Sequence, residues 1–474
     1  MGHAYSPQQT LSRSGRTRTV ALGSDRDFAK LRKSRVRLKK IIETDELDAL
    51  GESKTQRKKG NVMPRGNNVI AELLRQNEGN SKMFVCQQCL GDAMLRMLNG
   101  QLHDEKVCAA CGKPTMNALT PERIANFIRK DLPSHFILDD DLHPGYALSL
   151  SQIVSAAIHC ADESVCEGVA AYLVDTEANE EDFYWDGQEY RRTPSPFESE
   201  EHERWYVVGD WNHIAYELTH GQRFFNDKVK NFFDELTFEA LQAEAPDHPG
   251  SRPVISMLPA GTHFYRARRA NNAAEAKVIC KNPAIELGAP PKEKWTNNRM
   301  NPAGIPLLYV AKDVKTCIAE VRPSIGDEVI VGQFKSTKSL TFFDFTALSS
   351  GLFHTPISLF DPKFKERMQR RRLLDYLHEE ISKPARKDDT DYVVTQALAE
   401  FIRYKTSPTF DGIVFQSAQN EKGVNYVLFG QKDDLNSMLA PDWCPRFDLE
   451  VITETIGVHT VTSIDYRVDD TPLS

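Results

Sequence analysis

The chain has 474 residues, of which 40% are hydrophobic and 27% are charged, and its formal net charge is −8. This composition is ordinary for a soluble protein, and the length permits two or three domains. No apolar run approaches the roughly 18 residues that a membrane span needs, and the first residues lack the apolar centre of a secretory signal. Nine cysteines, four of them in CxxC pairs, indicate a reducing compartment. We therefore expect a cytoplasmic protein that does not contact a membrane.

The N-terminal segment, residues 1–66, is basic: 16 Lys and Arg residues stand against 7 Asp and Glu, so the remainder of the chain is acidic. The stretch KLRKSRVRLKK fits a short helix on an acidic partner, but a disordered, solvated tail is the simpler interpretation. Nucleic-acid contact through this tail would be non-specific and salt-sensitive. The acidic remainder argues against nucleic acid as the main substrate.

Two CxxC pairs follow in a unit that we place at residues 67–117: Cys86 with Cys89, and Cys108 with Cys111. Each CxxC turn presents two thiolates to one ion, so the spacing predicts a single four-cysteine zinc site. Four thiolates fill the tetrahedral shell of zinc and leave no position for water. The zinc is therefore expected to be structural and not catalytic. A helix in LGDAMLRMLN should connect the two pairs.

Residues 118–245 have a helical pattern. SLSQIVSAAIHC begins with serines that suit a helix cap. In QRFFNDKVKNFFDEL, apolar residues step by four, three and four positions and predict one amphipathic face, formed by Phe225, Val229, Phe232 and Leu236. We expect a small helical domain that positions or regulates its neighbour.

The helical region also contains Arg129 and His135, whose spacing matches the ribonuclease pair of HEPN helical bundles. Pro133 interrupts the helix that would have to carry both residues. Short spacing matches arise often by chance. We therefore expect no catalysis from this pair.

APDHPGSRP, residues 245–253, has the composition of a linker. Beyond it the sequence predicts strands in THFYRARRA, PLLYVA, EVIVGQF, LTFFDF, DGIVFQ and NYVLFG, and helices in FKERMQRRRLLDYLHEEI and TDYVVTQALAEFIRYK. This order indicates a compact α+β domain over residues 246–474. The region has neither a GxGxxG after a strand nor a GxxxxGK[ST], which excludes a Rossmann cofactor site and a P-loop.

Within this domain we expect Tyr309 in the strand PLLYVA and Glu320 at the C-terminal end of the helix VKTCIAEV. Asp313 is expected to cap the start of that helix. Taken alone, a core tyrosine and a solvated surface glutamate are the simpler interpretation of these two residues.

The order of five blocks changes that interpretation: THFYRAR, NRMNPAGIPLLYVA, TCIAE, DGIVFQS and GVNYVLF. It resembles the RES domain family, bacterial toxins named for their Arg, Glu and Ser motif residues, over residues 254–430. The cysteine pairs followed by ERWYVVGDWNHIAYELTHGQRFF resemble the HEPN/RES N-terminal domain that accompanies some RES proteins. The resemblance implies a multidomain chain with a zinc-knuckle and helical N-terminal half. Its C-terminal half is then an α+β RES domain similar in fold to ADP-ribosyltransferases.

The resemblance also implies that the chain degrades NAD. Arg266 matches the first motif arginine, and its guanidinium can bind the NAD pyrophosphate through two parallel hydrogen bonds. Arg299 matches the second arginine, and Met300 after it stands where many members have tryptophan. Tyr309 matches the motif tyrosine, whose ring can stack on nicotinamide.

Glu320 matches the motif acid, and Ser417 and Asn425 fall on strand-end positions that help to close the pocket. Cleavage of the bond between nicotinamide and ribose develops positive charge on the sugar, as in glycoside cleavage. A carboxylate that binds the ribose hydroxyls stabilises this charge. Because nicotinamide leaves as a neutral base, one glutamate is sufficient. We therefore predict Glu320, Arg266 and Tyr309 as the catalytic residues.

Three functions stay open. The first is an NAD glycohydrolase or phosphorolytic enzyme that acts as a growth-arresting toxin or defence effector. The second is an ADP-ribosyltransferase that modifies a protein chosen by the N-terminal half. The third is a nucleic-acid-binding zinc protein with an inactive RES-like part, and the joint presence of the motif residues argues against it.

An antitoxin or other inhibitory protein and a homo-oligomer stay open as partners. Since every predicted catalytic residue lies in residues 254–474, we expect that segment to keep some NAD cleavage.

Overall fold

The computed structural model describes residues 82–139, 147–194, 199–248, 250–289, 297–382, 392–431, 443 and 445–465. The basic segment and the helix that KLRKSRVRLKK would form lie outside the described residues. The contacts divide the chain into Met1–Asn67 and Asn68–Ser474, so every described residue belongs to the second unit.

The helices and strands of the described residues are numbered here in chain order. The helices are α1 Ala93–Met97, α2 Pro121–Ile128, α3 Leu150–Ile158, α4 Glu163–Leu173, α5 Glu200–His220, α6 Asp227–Gln242, α7 Ala273–Lys281, α8 Pro283–Glu286, α9 Val314–Glu320, α10 Phe364–Ser382 and α11 Val393–Lys405. The strands are β1 Val85–Cys86, β2 Gln101–Val107, β3 Pro114–Leu119, β4 Phe136–Leu138, β5 Tyr190–Arg192, β6 Ile255–Leu258, β7 His263–Ala270, β8 Leu308–Ala311, β9 Glu328–Ser336, β10 Leu340–Asp344, β11 Gly412–Gln416, β12 Val424–Leu428 and β13 Leu449–Thr460.

The C-terminal half is organised by an eight-stranded mixed sheet in the order β13-β9-β7-β8-β12-β11-β10-β6. Strands β10 and β11 are parallel, and the other neighbours in the sheet are antiparallel. The six strands and three helices predicted for this half are confirmed as β7 to β12, α9, α10 and α11. The two outermost strands, β6 and β13, were not predicted. An edge strand buries little of its surface, so its apolar alternation is weak.

Side chains of the central strands alternate between two hydrophobic cores, as the two-residue period of a strand requires. Phe343 and Val427 belong to the core on one face of the sheet, where α5, α6, α10 and α11 pack. Their neighbours Phe342 and Tyr426 belong to the core on the other face, to which α7 contributes Ile279. The sheet is therefore covered by helices on both faces.

Helices α5 and α6 belong to the same core as the sheet, through Trp211, Ile214, Leu218, Val229, Phe232, Phe233, Leu236 and Ala240. An ion-pair cluster joins α6 to α10. The carboxylate of Glu239, 1% exposed, accepts from Arg367 at 2.5 Å and from Arg371 at 2.6 Å. Residues on both sides of the domain boundary expected between positions 245 and 246 therefore share one hydrophobic core. The domain boundaries drawn from the sequence stay predictions.

The predicted amphipathic face of α6 is correct at three of its four positions. Val229, Phe232 and Leu236 are buried, but the inclusion of Phe225 is wrong, because this residue precedes the helix and is 98% exposed. Asn226 caps α6 by accepting a hydrogen bond from Val229 N at 3.1 Å. An N-cap residue has non-helical backbone angles, so the helical period cannot extend back through it to Phe225.

The N-terminal described region has its own core, which joins the strand β1, the helices α1 to α4 and Phe136 and Tyr190 of β4 and β5. The helix predicted between the cysteine pairs is α1, capped by Asp92, and the serine cap predicted for α3 is Ser149. No helix among the described residues combines the length and the apolar character that a membrane crossing needs.

Arg129 and His135 lie outside helices and have separate packing partners. Arg129 donates to Tyr172 O at 2.7 Å, and His135 Nε2 contacts Leu359 O at 2.9 Å. Each residue thus supports a different packing contact of the N-terminal region.

Candidate active site and cysteine cluster

Glu320 is the last residue of α9, and its side chain is exposed to a cavity beside the sheet. The helix begins where the sequence predicts, because Asp313 accepts a hydrogen bond from Thr316 N at 2.8 Å. It ends two residues before Arg322, whose backbone has a positive φ of 45°. A short, capped helix thus places the carboxylate at a defined point of the cavity wall.

Two buried side chains bind the same oxygen of this carboxylate. Ser417 Oγ donates to Glu320 Oε1 at 2.6 Å, and Asn425 Nδ2 donates to it at 2.7 Å. Ser417 Oγ also accepts hydrogen bonds from the main-chain N–H groups of Gln419 and Asn420, both at 3.1 Å. Because the hydroxyl oxygen is engaged as an acceptor, its own proton is directed to Glu320.

The second carboxylate oxygen, Glu320 Oε2, has no hydrogen-bond donor within the part of the chain that the structure describes. An ionised carboxylate has about four acceptor positions on its two oxygens. The site thus holds the carboxylate by one oxygen and leaves the other to accept from a ligand.

Arg266 lies on β7 and donates from Nη1 to the main-chain oxygen of Tyr309 at 3.1 Å. Burial, and then repulsion from Arg268, lower the pKa of Arg266 to about 10, so the guanidinium keeps its charge at neutral pH. No carboxylate of the described residues forms an ion pair with it. A half-buried cation without a counter-ion is unfavourable, and an anionic ligand would supply the missing charge.

Tyr309 is fixed in the cavity wall by both roles of its hydroxyl. The hydroxyl donates to Asn301 Oδ1 at 2.8 Å and accepts from Met300 N at 3.1 Å. Asn301 in turn donates to Ile305 O at 2.9 Å, which fixes the orientation of its amide. Burial raises the pKa of Tyr309, so the hydroxyl stays protonated and its ring serves as a rigid wall.

Arg299 is held from the helical side of the cavity. It donates from Nη1 to Ile381 O near the end of α10, and its guanidinium lies 5.6 Å from the ring centre of Tyr392. Its own carbonyl accepts from Thr395 Oγ1 at 2.6 Å. Burial lowers the pKa of Arg299. The aromatic neighbour that Met300 does not supply therefore comes from Tyr392, just before α11.

The predicted site residues converge on one cavity of about 520 Å³, a size suited to a small-molecule ligand. Its charged lining among the described residues consists of three arginines and one glutamate, so it favours an anionic ligand. Ser417 is the one predicted residue outside the lining, and it acts on the cavity through its bond to Glu320. The lining therefore contains Arg266, Arg299, Tyr309, Glu320 and Asn425.

Three residues of the cavity were not predicted. Asn301 orients the tyrosine hydroxyl, Tyr392 packs on a motif arginine, and Arg322 lines the cavity two residues after Glu320. Asn301 and Arg322 stand next to recognised motif residues, so their position was an available signal. Tyr392 is far from Arg299 in the chain, and no local pattern connects them.

The four cysteines of the two CxxC pairs also come together. Their sulfur atoms all lie within 4.8 Å of one another, with separations of 3.5 Å for Cys86–Cys89 and 3.8 Å for both Cys86–Cys111 and Cys89–Cys108. These separations are far longer than the about 2.05 Å of a disulfide bond. A tetrahedral ion with bonds of about 2.3 Å to sulfur requires sulfur atoms about 3.8 Å apart. The cluster can therefore hold a metal ion.

Comparison with known proteins agrees with the C-terminal motifs. Residues 263–450 match the family model described as RES domain, and all six predicted site residues lie within that range. The match supports the RES domain family that this region resembles. Neither the curated proteins nor the solved structures compared with the chain give a match. Two resemblances stay predictions: that of the N-terminal half to HEPN domains, and that of the C-terminal half to ADP-ribosyltransferases.

Proposed function

We propose that this chain consumes NAD by cleaving the bond between nicotinamide and ribose, with water or phosphate as the acceptor. The observation that carries the proposal is the state of Glu320. Ser417 and Asn425 bind one carboxylate oxygen, and the other is left to accept from a ligand in the cavity. The RES domain match supports NAD as the substrate, since the family in general acts on NAD.

The charges of the cavity fit this substrate. Arg266 carries a half-buried charge without an acidic partner in the described residues, and Arg299 lines the same cavity. The pyrophosphate of NAD would supply the counter-charge. Guanidinium groups bind such oxygens through paired hydrogen bonds, which an ammonium group cannot reproduce.

In the proposed reaction the bond between the nicotinamide nitrogen and ribose C1′ breaks, and its electron pair leaves with neutral nicotinamide. Positive charge develops on the ribose, and Glu320 Oε2, as acceptor from a ribose hydroxyl, stabilises it. Water or phosphate then adds to C1′. When water adds, it loses one proton to solvent and the product is ADP-ribose. When phosphate adds through one oxygen, the product is ADP-ribose with a phosphate on that carbon. The fixed ring of Tyr309 offers a stacking face for nicotinamide.

On the same basis we propose the biological setting: a cytoplasmic toxin or defence effector that arrests growth by depleting NAD. An antitoxin or other inhibitory protein would restrain it. The ADP-ribosyltransferase-like fold of residues 246–474 and the HEPN-like domain at residues 118–245 belong to this proposal.

We also propose that the cysteine cluster holds one structural zinc ion. The sulfur separations match the tetrahedral shell of zinc, and four thiolates leave no coordination position for a reactive water. The ion would join the end of β1, which carries Cys86, to the loop after β2 that carries Cys108, and so support the N-terminal core.

The test of the activity is an incubation of the purified chain with NAD labelled in the adenine ring. Release of nicotinamide with labelled ADP-ribose supports a glycohydrolase, and a labelled phosphorylated sugar that forms only with phosphate supports phosphorolysis. Label transferred to protein in a cell extract would instead establish an ADP-ribosyltransferase. If NAD stays intact without phosphate, with phosphate and with cell extract, and the protein is correctly folded, NAD consumption is ruled out.

A further inference from the structure

Arg322 occupies a backbone position that arginine seldom takes. Its N–H donates to Ala319 O at 3.0 Å and closes the end of α9, and its φ is 45°. Glycine or asparagine usually fills this left-handed position after a helix, because a Cβ atom there is disfavoured. Backbone strain of this kind clusters at active sites and ligand-binding sites.

The side chain of Arg322 lines the cavity but is not part of the protein's own bonding. Its guanidinium forms no hydrogen bond and no ion pair with any residue that the structure describes. Arg322 is exposed and lies on the cavity wall with Glu320, so the guanidinium can be reached by a ligand. It is close enough to Arg299 for its charge to contribute, after burial, to the lowered pKa of Arg299. The two guanidinium groups thus line the same cavity and repel each other.

The backbone around Arg322 is rigid. The end of α9 fixes it on one side and Pro323, whose ring locks its own φ, on the other. A side chain that starts from a fixed backbone loses less freedom when it binds a ligand.

We propose that Arg322 is a substrate-binding residue that, with Arg299, binds the pyrophosphate of the dinucleotide at the mouth of the cavity. This inference rests on the proposed function. It makes the site selective for nicotinamide dinucleotides over nicotinamide riboside, which has the same scissile bond but no phosphate. A purely structural role, an arginine that interacts with the end of the helix dipole, predicts an effect on stability alone.

Three substitutions separate these roles: Arg322→Gln removes the charge, Arg322→Lys keeps it, and Arg322→Gly removes the side chain but favours the backbone. The matched control is Arg269→Gln, because Arg269 is an exposed arginine that pairs with Asp327 away from the cavity lining. Turnover is measured with NAD and with nicotinamide riboside, and binding of inorganic pyrophosphate is measured by calorimetry.

We expect Arg322→Gln and Arg322→Gly to raise KM for NAD about tenfold, to leave kcat within about twofold, and to weaken pyrophosphate binding by a similar factor. Arg322→Lys should fall between them and the wild type. Turnover of nicotinamide riboside should not change, and Arg269→Gln should behave as the wild type. Arg322→Gly should also melt at a higher temperature, so its weaker binding cannot result from unfolding.

Two results would overturn the inference: an unchanged KM for NAD in Arg322→Gln, or an equal rise of KM for nicotinamide riboside. If the wild type neither binds nor cleaves NAD, the proposed function fails. In that case, pyrophosphate binding that depends on Arg322 still supports an anion site. Absent binding, or binding that is independent of Arg322, refutes the site as well.

Discussion

Arg299 donates a hydrogen bond to the main-chain oxygen of Ile381, near the C-terminal end of α10. The same helix is bound to α6 through Glu239, which accepts from Arg367 and Arg371. A cavity arginine is therefore supported by a helix that α6 holds in place. This connection bears on which part of the chain can work alone.

We predict that residues 254–474 will not fold into an active fragment, contrary to the expectation from the positions of the catalytic residues. This fragment lacks α5 and α6, so α10 loses apolar partners such as Phe232 and Leu236. Each large side chain that loses its burial costs about 2 kcal/mol. A fragment that starts at Ser199, the cap of α5, should melt cooperatively and cleave NAD.

Thermal melting by circular dichroism and NAD turnover, measured on both fragments and the full chain, check this prediction. Cooperative melting with full turnover in the shorter fragment would contradict it.

Substitution of Glu320 should abolish catalysis without unfolding the chain. Glu320→Gln keeps the shape of the side chain but removes the charge that stabilises the ribose cation, so kcat should fall by about 100- to 1,000-fold. Glu320 is exposed, so the melting temperature should stay within about 2 °C of the wild type. Glu366→Gln, a change at an exposed glutamate of α10, is the control and should leave kcat unchanged. Wild-type NAD turnover by Glu320→Gln would falsify the mechanism.

Ser417 should act only through Glu320, because it binds the carboxylate from outside the cavity lining. We expect Ser417→Ala to lower kcat about tenfold with little change in KM, since a hydrogen bond to a charged group contributes about 1.5–3 kcal/mol. In the Glu320→Gln background the same substitution should have almost no further effect. Steady-state kinetics of the four proteins measures this coupling. Independent, additive losses would mean that Ser417 has a separate role.

Much of the fold and of the site could be predicted from the sequence, and the limits have physical causes. Strands such as β8 were predictable because their apolar runs are buried, whereas β13 at the edge is half exposed and has little alternation. Glu320 and Ser417 were found through motifs, yet their hydrogen bond joins positions 97 residues apart and has no local pattern. The pairing of Arg299 with Tyr392 was missed for the same reason. Phe225 was wrongly assigned to the helix because the helical period depends on the spacing of apolar residues alone. That spacing does not reveal that Asn226, the next residue, is the N-cap.

Arg266 should not tolerate lysine. The lysine keeps the charge but loses the planar fork that bonds Tyr309 O and the ligand together, so kcat/KM for NAD should fall by about 100-fold or more. Arg268→Lys is the matched control on the same strand, because Arg268 pairs with Glu275 and Glu286 and not with the cavity. Binding of ADP-ribose, measured by calorimetry, should weaken in the Arg266 variant and not in the control. Equal binding by both variants would remove Arg266 from the anion site.

The cysteine cluster should affect stability far more than chemistry. We expect one zinc ion per purified chain, and Cys108→Ser should lower that stoichiometry, because it removes one of four ligands whose sulfur atoms lie within 4.8 Å. Metal binding of this kind is also folding free energy, on the order of 10 kcal/mol in zinc-finger peptides. The variant should therefore melt at a lower temperature and aggregate more readily. Cys280→Ser, outside the cluster, is the control and should keep its zinc.

Elemental analysis and thermal melting give the answer independently of turnover. The Cys108→Ser protein that stays folded should cleave NAD with an unchanged kcat, because Cys89 packs against the N-terminal core, whereas α9 and β7, which carry Glu320 and Arg266, pack in a different core. A folded variant with normal stability but no turnover would show that the metal takes part in the reaction.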